Sequence, residues 1–250
     1  MGAHMTKPTQ VTGKIWPGIR YFCTTRHGGV SAGAYDSMNL GLHVNDDPQA
    51  VQQNRARLCD SLPGQPVWLN QVHGTAVLDA DAAIGRDAQP YDASVTATPG
   101  RVLAILTADC LPVVFGSDKA VGAAHAGWRG LVGGVLENTV KKMQADYGRL
   151  PDFAWIGPAI SQLAFEVGPE VRQVFLEDDP QVARFFEPHP AHAGKWLADL
   201  SGIAAWRLAL LGVPHIEQSG LCTYTQEDLF YSYRRSPVTG RIATVIWING

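Results

Sequence analysis

Three residues with metal-binding or nucleophilic side chains sit where a chain delivers chemistry. Cys110, in Thr107-Ala108-Asp109-Cys110-Leu111-Pro112, and His125, in Ala123-Ala124-His125-Ala126-Gly127-Trp128-Arg129, each close an apolar run and meet a strand-breaking residue at once. His73 lies upstream in Asn70-Gln71-Val72-His73-Gly74. Strand ends feed loops, and loops carry binding and catalytic groups. Two imidazoles and one thiolate form a three-ligand set that leaves a fourth position for water, whose pKa falls to about 7 on zinc. The separations match no zinc-finger spacing, so two metal-free or redox uses of the same atoms stay open. Cys110 could be a nucleophile with His125 as its base, or the trio could hold a blue copper. The remaining histidines, His27, His43, His189, His192 and His215, are scattered, which argues against a larger copper cluster and against polyphenol oxidation.

Charged neighbours add candidates for holding an anion. Arg129 opens what reads as one long helix, where free backbone N–H groups favour negative charge. Arg26 precedes the Gly28-Gly29 loop, with Ser37 and Asn39 in the polar stretch beyond it. Each arginine could hold a phosphate or carboxylate ligand or merely pair with a carboxylate side chain, and the polar residues of 35–40 also favour turns; Arg26, Arg129, Ser37 and Asn39 are the candidate substrate- and phosphate-binding residues. Asp109 could handle protons or orient a ligand, or merely bond its own turn.

The elements that must position these groups follow from pattern. A strand over 20–25 leads into the glycine loop. Asp47 and Pro48 cap and open a helix over 48–60. Val67-Trp68-Leu69 and Thr75–Leu78 read as short strands around His73, and 80–100 as a polar loop carrying Asp92. Apolar runs at 102–106, 113–115 and 120–124 fit strands covered on both faces. A helical stripe runs from Leu131 through Val135, Val140 and Met143 to Tyr147, closed by Gly148. Phe153–Ile156 is a strand; helices follow from Pro169 to about Leu176 and from Leu200 to Leu211. Phe230–Arg234 and Ile242–Ile248 read as a hairpin in which Tyr231 and Tyr233 share a face. Strands and helices intermix throughout, giving an α/β class with mixed β-sheets in one domain.

Composition sets the class. At 46% hydrophobic and 17% charged residues the 250-residue chain is that of an ordinary globular protein. A net charge of -3 without a basic stripe excludes a nucleic-acid footprint. No apolar run is long enough for a membrane helix and no signal peptide is evident, so the expected compartment is the cytoplasm. Met1-Gly2-Ala3-His4-Met5 reads as a tag scar, leaving 6–250 as the catalytic domain. Cys23, Cys59, Cys110 and Cys222 are expected as free or metal-binding thiols. The sequence does not fix an oligomeric state.

The segments around His73, Cys110 and His125 together resemble the YfiH-type family, whose members are named purine nucleoside phosphorylases or, in older usage, polyphenol oxidases (laccase domain). Further matches are Thr25-Arg26-His27-Gly28-Gly29-Val30-Ser31, Tyr35–Leu40, Trp155–Ile160, Phe165–Gly168, Cys222–Thr225 and Phe230–Arg235. They run from about residue 20 to the C-terminus, with weaker likeness near 80–92 and 178–196. The resemblance implies a layered α/β sandwich, akin to certain cysteine-hydrolase toxins, and zinc held by His73, Cys110 and His125. It implies phosphorolysis of adenosine, inosine and methylthioadenosine to base and sugar 1-phosphate, with adenosine deaminase activity. The partners would then be a purine nucleoside and phosphate. A bacterial branch is linked instead to editing a peptidoglycan precursor, which makes an amidase acting on a muramyl-amino acid the alternative. Copper in place of zinc remains open.

Overall fold

Two sheets pressed face to face carry the molecule, with helices on one outer side and a loop-and-helix layer on the other. The computed structural model describes residues 10–82 and 89–250; the expected tag scar at 1–5 lies outside them. The first sheet has the order β1 (Gln10–Val11), β2 (Ile19–Thr24), β14 (Ile242–Ile248), β6 (Val102–Thr107), β3 (Pro66–Val67). The second runs β13 (His215–Gln218), β9 (Phe153–Ile156), β7 (Leu111–Gly116), β8 (Val121–Ala126), β5 (Ala93–Thr96), β4 (Val77–Asp79). Both mix parallel and antiparallel pairs.

Strand alternation explains the unbroken apolar runs. In β6, Leu103 and Ile105 join Val114, Val121, Ala123 and Trp155 of the second sheet in the core between the sheets. Val102, Ala104 and Leu106 face the other way, against Met38, Leu40 and Leu58. In β7, Val114 points between the sheets while Val113 and Phe115 meet the helical layer. Each strand is thus buried on both faces. The helical layer holds α2 (Trp128–Gly133), α3 (Val135–Tyr147), α4 (Pro169–Asp178) and α5 (Leu200–Leu210), while α1 (Pro48–Cys59) supplies Leu58 to the opposite side. The N-cap Asp47 accepts from the Gln49 N–H, as its position before Pro48 predicts. No helix among the described residues is long and apolar enough to cross a membrane.

Several expectations are corrected. The polar loop at 80–100 contains β5, fully buried and paired on both sides to β4 and β8. Ser94 and Thr96 hide its apolar pattern, and residues 83–88 of that loop lie outside the described residues. The long helix is two: Gly134, at φ 94, takes a left-handed conformation between α2 and α3, so Arg129 belongs to a six-residue helix. Val67-Trp68-Leu69 contributes only β3. Phe230–Arg234 is not a strand. Arg235 donates to the carbonyls of Thr223, Tyr224 and Phe230 and folds the segment into turns, burying Tyr231 and exposing Tyr233. A small third sheet, β10 (Glu166–Val167), β12 (Trp196–Ala198), β11 (Phe186–Pro188), was not foreshadowed by the sequence pattern.

The double burial of β7 has a measurable consequence. Phe115→Ala removes a fully buried ring between sheet and helices and is expected to cost about 3–5 kcal/mol in a denaturant titration. Lys119→Ala, in the exposed β7–β8 turn, should stay within about 0.5 kcal/mol.

Candidate metal centre

Register brings the three residues together. β7 and β8 are antiparallel with Pro112 opposite His125, so Cys110 and Gly127 meet just beyond the paired ends. On β8, Val121 and Ala123 face the inter-sheet core; His125 continues that row to the sheet's end and is buried. His73 arrives from the loop between β3 and β4. That loop is pinned to the end of β6 by Gln71, whose amide exchanges two 2.8 Å hydrogen bonds with the backbone of Leu106. The ligand atoms of His73, Cys110 and His125 all lie within 4.8 Å of one another. Cys110 Sγ is 3.7 Å from His73 Nε2, and the imidazole rings meet edge to face at 4.7 Å.

Asp92 organises the set. It is fully buried and immediately precedes β5, whose pairing with β8 sets it across from His125. Its carboxylate accepts from the backbone N–H groups of Val72 (3.1 Å), His73 (2.9 Å) and Gly74 (2.7 Å). A fourth bond, 2.7 Å, joins its Oδ1 to His125 Nδ1, while its carbonyl accepts from the His125 N–H. One side chain thereby shapes the His73 turn, where φ is 61, and fixes the His125 tautomer with the proton on Nδ1. Nε2 faces Cys110 and His73 and would become the ligating atom once its own proton gives way to a metal, the arrangement that ligating histidines use. Burial alone would raise the Asp92 pKa; His125 and the backbone donors outweigh it and hold the carboxyl below the usual range.

The donor set fits a metal ion. One thiol and two imidazoles are borderline-soft ligands. Gly127 keeps the space between them clear: a Cβ there would come 2.8 Å from His73 Cδ2 and 3.0 Å from Cys110 Sγ. Electrostatics favours the thiolate. Burial works to raise the Cys110 pKa, but the charge and hydrogen bond of His125, helped by His73, bring it down to about 6. Burial works to lower that of His125, and Cys110 with Asp92 raises it to about 9. Thiolate and imidazolium stabilise each other, so Cys110 is ready to ligate or attack at neutral pH.

The other predicted residues divide. Asp109 (φ 102) lies next to Cys110, yet its carboxylate accepts from Thr223 Oγ1 (2.7 Å), Ser232 Oγ (3.1 Å) and the Arg234 N–H (2.7 Å). It anchors the turn that presents Cys110, and these three donors satisfy its buried carboxyl oxygens. Arg26 donates Nε to the Asp36 carbonyl and Nη1 to that of Glu227 and lies over the Tyr231 ring, one residue from Ser232. Arg129 is exposed, its guanidinium over Trp128. Ser37 accepts from the Gly29 N–H and donates to the Arg26 carbonyl. Asn39 is buried, and its amide is consumed by Gly41, Asp46 and the Arg241 N–H, so it shapes a loop rather than meeting a substrate. Sequence reasoning missed three groups. Asp92 reads in the sequence only as part of a polar loop. Arg241 is a cation close enough to feel the charges of Cys110 and Asp109, though burial lowers its pKa. His43 has its pKa lowered first by burial, then by Arg241, Arg55 and His125.

The chain as a whole is similar to several known proteins. A family model described as multi-copper polyphenol oxidoreductase laccase matches residues 20–249. A purine nucleoside phosphorylase of Pseudomonas aeruginosa is 46% identical over 239 residues, covering 94% of this chain and 96% of the relative. The Escherichia coli protein named purine nucleoside phosphorylase YfiH is 46% identical over 245 residues, 93% and 96% of the two lengths. The crystal structure of Neisseria meningitidis protein NMB0706 superposes with a TM-score of 0.89 at 43% identity, covering 98% and 100%.

Two expectations follow from the geometry. Gly127→Ala should lower the metal content of the purified protein at least about tenfold, the scale of a disturbed metal-site environment, with the thermal midpoint of the metal-free form little changed. Metal content equal to wild type would show that the cleared space is not needed. In chelator-treated protein, alkylation of Cys110 should rise with pH around a midpoint of about 6. Asp92→Asn removes the anion that supports the His125 cation, so the midpoint should move up toward the ordinary thiol range. An unmoved midpoint would contradict the coupling.

Proposed function

The chain belongs to the family described as multi-copper polyphenol oxidoreductase laccase, and on that premise we propose that it is a zinc-dependent purine nucleoside phosphorylase. Its substrates are adenosine, inosine and methylthioadenosine, which it cleaves to free base and sugar 1-phosphate; adenosine deaminase activity accompanies this. The observation that carries the reading is the convergence of His73, Cys110 and His125 on one point under the control of Asp92. The names of relatives at 46% identity supply the substrate class. Among the described residues a single cysteine-containing donor set is present, which supports one zinc over a copper cluster.

His73, Cys110 and His125 would hold the zinc, which would supply Lewis-acid polarisation there. The chain's own residues do the rest. In phosphorolysis a phosphate oxygen bonds to the anomeric carbon while the bond to the purine nitrogen breaks, and the base leaves with its electron pair and takes up a proton. Phosphate must be held beside the sugar by fixed cations. Arg26, Arg129 and the newly recognised Arg241 are the residues for this task. Asp92 holds His125 in one orientation throughout, and Asp109 holds the Cys110 turn. Deamination directs a water at C6 of the purine in place of phosphate at the sugar and releases ammonia.

A second reading has its own observation. Asp92, His125 and Cys110 stand in the order orienting acid, base and activated thiol, the arrangement of a cysteine hydrolase. An amidase acting on a cell-wall precursor, the muramyl-amino acid substrate class, would use it.

The test is inosine with and without phosphate. Phosphate-dependent release of hypoxanthine is expected, falling to background in Cys110→Ala and His125→Ala while circular dichroism stays native. Release indifferent to phosphate, or full turnover in either variant, would contradict the phosphorylase. Amide hydrolysis that survives complete metal removal would establish the thiol reading instead.

A further inference from the structure

Away from the trio, a second set of donors converges among the described residues: Glu166, His189 and His192, with ligand atoms all within 4.8 Å of one another. Glu166 opens β10 and His189 directly follows β11. Both strands pair with β12, where Trp196 stands opposite Val167 on one side and Pro188 on the other. The hairpin is closed by the His189 N–H on the Lys195 carbonyl (2.9 Å) and the Lys195 N–H on the His192 carbonyl (3.1 Å). That closure folds His192 back over His189, their rings stacked at 4.3 Å and 8°. Glu166 Oε2 lies 3.4 Å from His189 Nε2 and contacts His192 Nδ1.

We propose that Glu166, His189 and His192 form a second metal site, for a zinc-class divalent ion, which clips the 189–195 hairpin onto β10. Two imidazoles and a carboxylate select zinc, nickel or copper over calcium or magnesium. Around a tetrahedral ion with bonds of about 2.0–2.1 Å, neighbouring donors stand about 3.3 Å apart, close to the Glu166–His189 separation. His192 is exposed, leaving the remaining coordination to water.

Proton bookkeeping sets the strength. The backbone N–H groups of Ala191 (3.1 Å) and His192 (3.0 Å) donate to His189 Nδ1, which puts the ring proton on Nε2, toward Glu166. On loading, that proton moves to Nδ1, Nε2 takes the ion, and the two N–H groups turn to solvent. His192 makes the converse change: its Nδ1, which donates to Glu166 Oε2 in the metal-free form, passes its proton to Nε2 and takes the ion. This rearrangement makes the site weaker than the buried trio. The clip also bears on that trio: Arg234 Nη1 donates to the Glu166 carbonyl (3.0 Å), and the Arg234 N–H donates to Asp109, the residue before Cys110.

Calorimetric titration of the metal-free full-length protein with zinc, alone and in two variants, tests this whether or not any nucleoside is turned over. Wild type should show a tight event and a weaker one. Cys110→Ser should keep the weaker event. The double variant Glu166→Gln/His192→Ala, which alters one part-buried and one exposed side chain, should keep only the tight event and lose the rise in thermal midpoint that the second equivalent gives wild type. No zinc binding in Cys110→Ser, or a weaker event that survives in the double variant, overturns the second site. Absence of the tight event alone would count against the trio and leave this site standing.

Discussion

A buried carboxylate is costly unless every charge it carries is answered, and Asp92 is answered four times by its side chain. Three backbone N–H groups and one imidazole surround it. Each hydrogen bond to a charged acceptor is worth about 1.5–3 kcal/mol, so together they offset a desolvation penalty of several kcal/mol. The same bonds impose the site's geometry. The His73 turn exists in its left-handed form because three consecutive N–H groups converge on one residue. His125 presents Nε2 because Nδ1 is occupied. Remove the carboxylate, and two of the three candidate ligands lose their support while the fold loses little apolar burial.

Much of the frame was legible. β6, β7 and β8 announce themselves as apolar runs because both faces are buried, and α1 is written in its cap and opening proline. The trio was legible as residue types at strand ends, and the likeness of several ordered segments joined its members. What was not legible depends on partners distant in sequence. β5 carries Ser94 and Thr96 in its core, so its strand character comes from pairing on both sides rather than from an apolar pattern. Phe230–Arg234 has strand-like composition but is drawn into turns by Arg235 and Asp109. The split at Gly134 was visible only as one more glycine inside a helical stripe. Asp92 is the instructive miss: in sequence it is an acid in a polar stretch, and only the β5–β8 register sets it against His125. Asn39 has its amide bonded to Gly41, Asp46 and the Arg241 N–H, since polar residues beside a glycine loop satisfy loop backbone as readily as a ligand.

The description of the family and the names of its members point to different chemistries, oxidation of phenols and phosphorolysis of nucleosides. The site favours the second on physical grounds. A cluster of copper ions needs many imidazoles in one place, whereas here the trio stands at the end of the sandwich and His189 and His192 belong to a separate hairpin. A thiolate and two imidazoles with an open side suit a single Lewis acid.

The central claim is that His73, Cys110 and His125 hold one metal ion together. Anomalous diffraction at the zinc edge from crystals of the purified protein tests it most directly. The account predicts a peak bonded to Cys110 Sγ at about 2.3 Å and to both imidazoles at about 2.0–2.1 Å. Well-ordered, zinc-supplemented crystals with no peak between the three residues would contradict it.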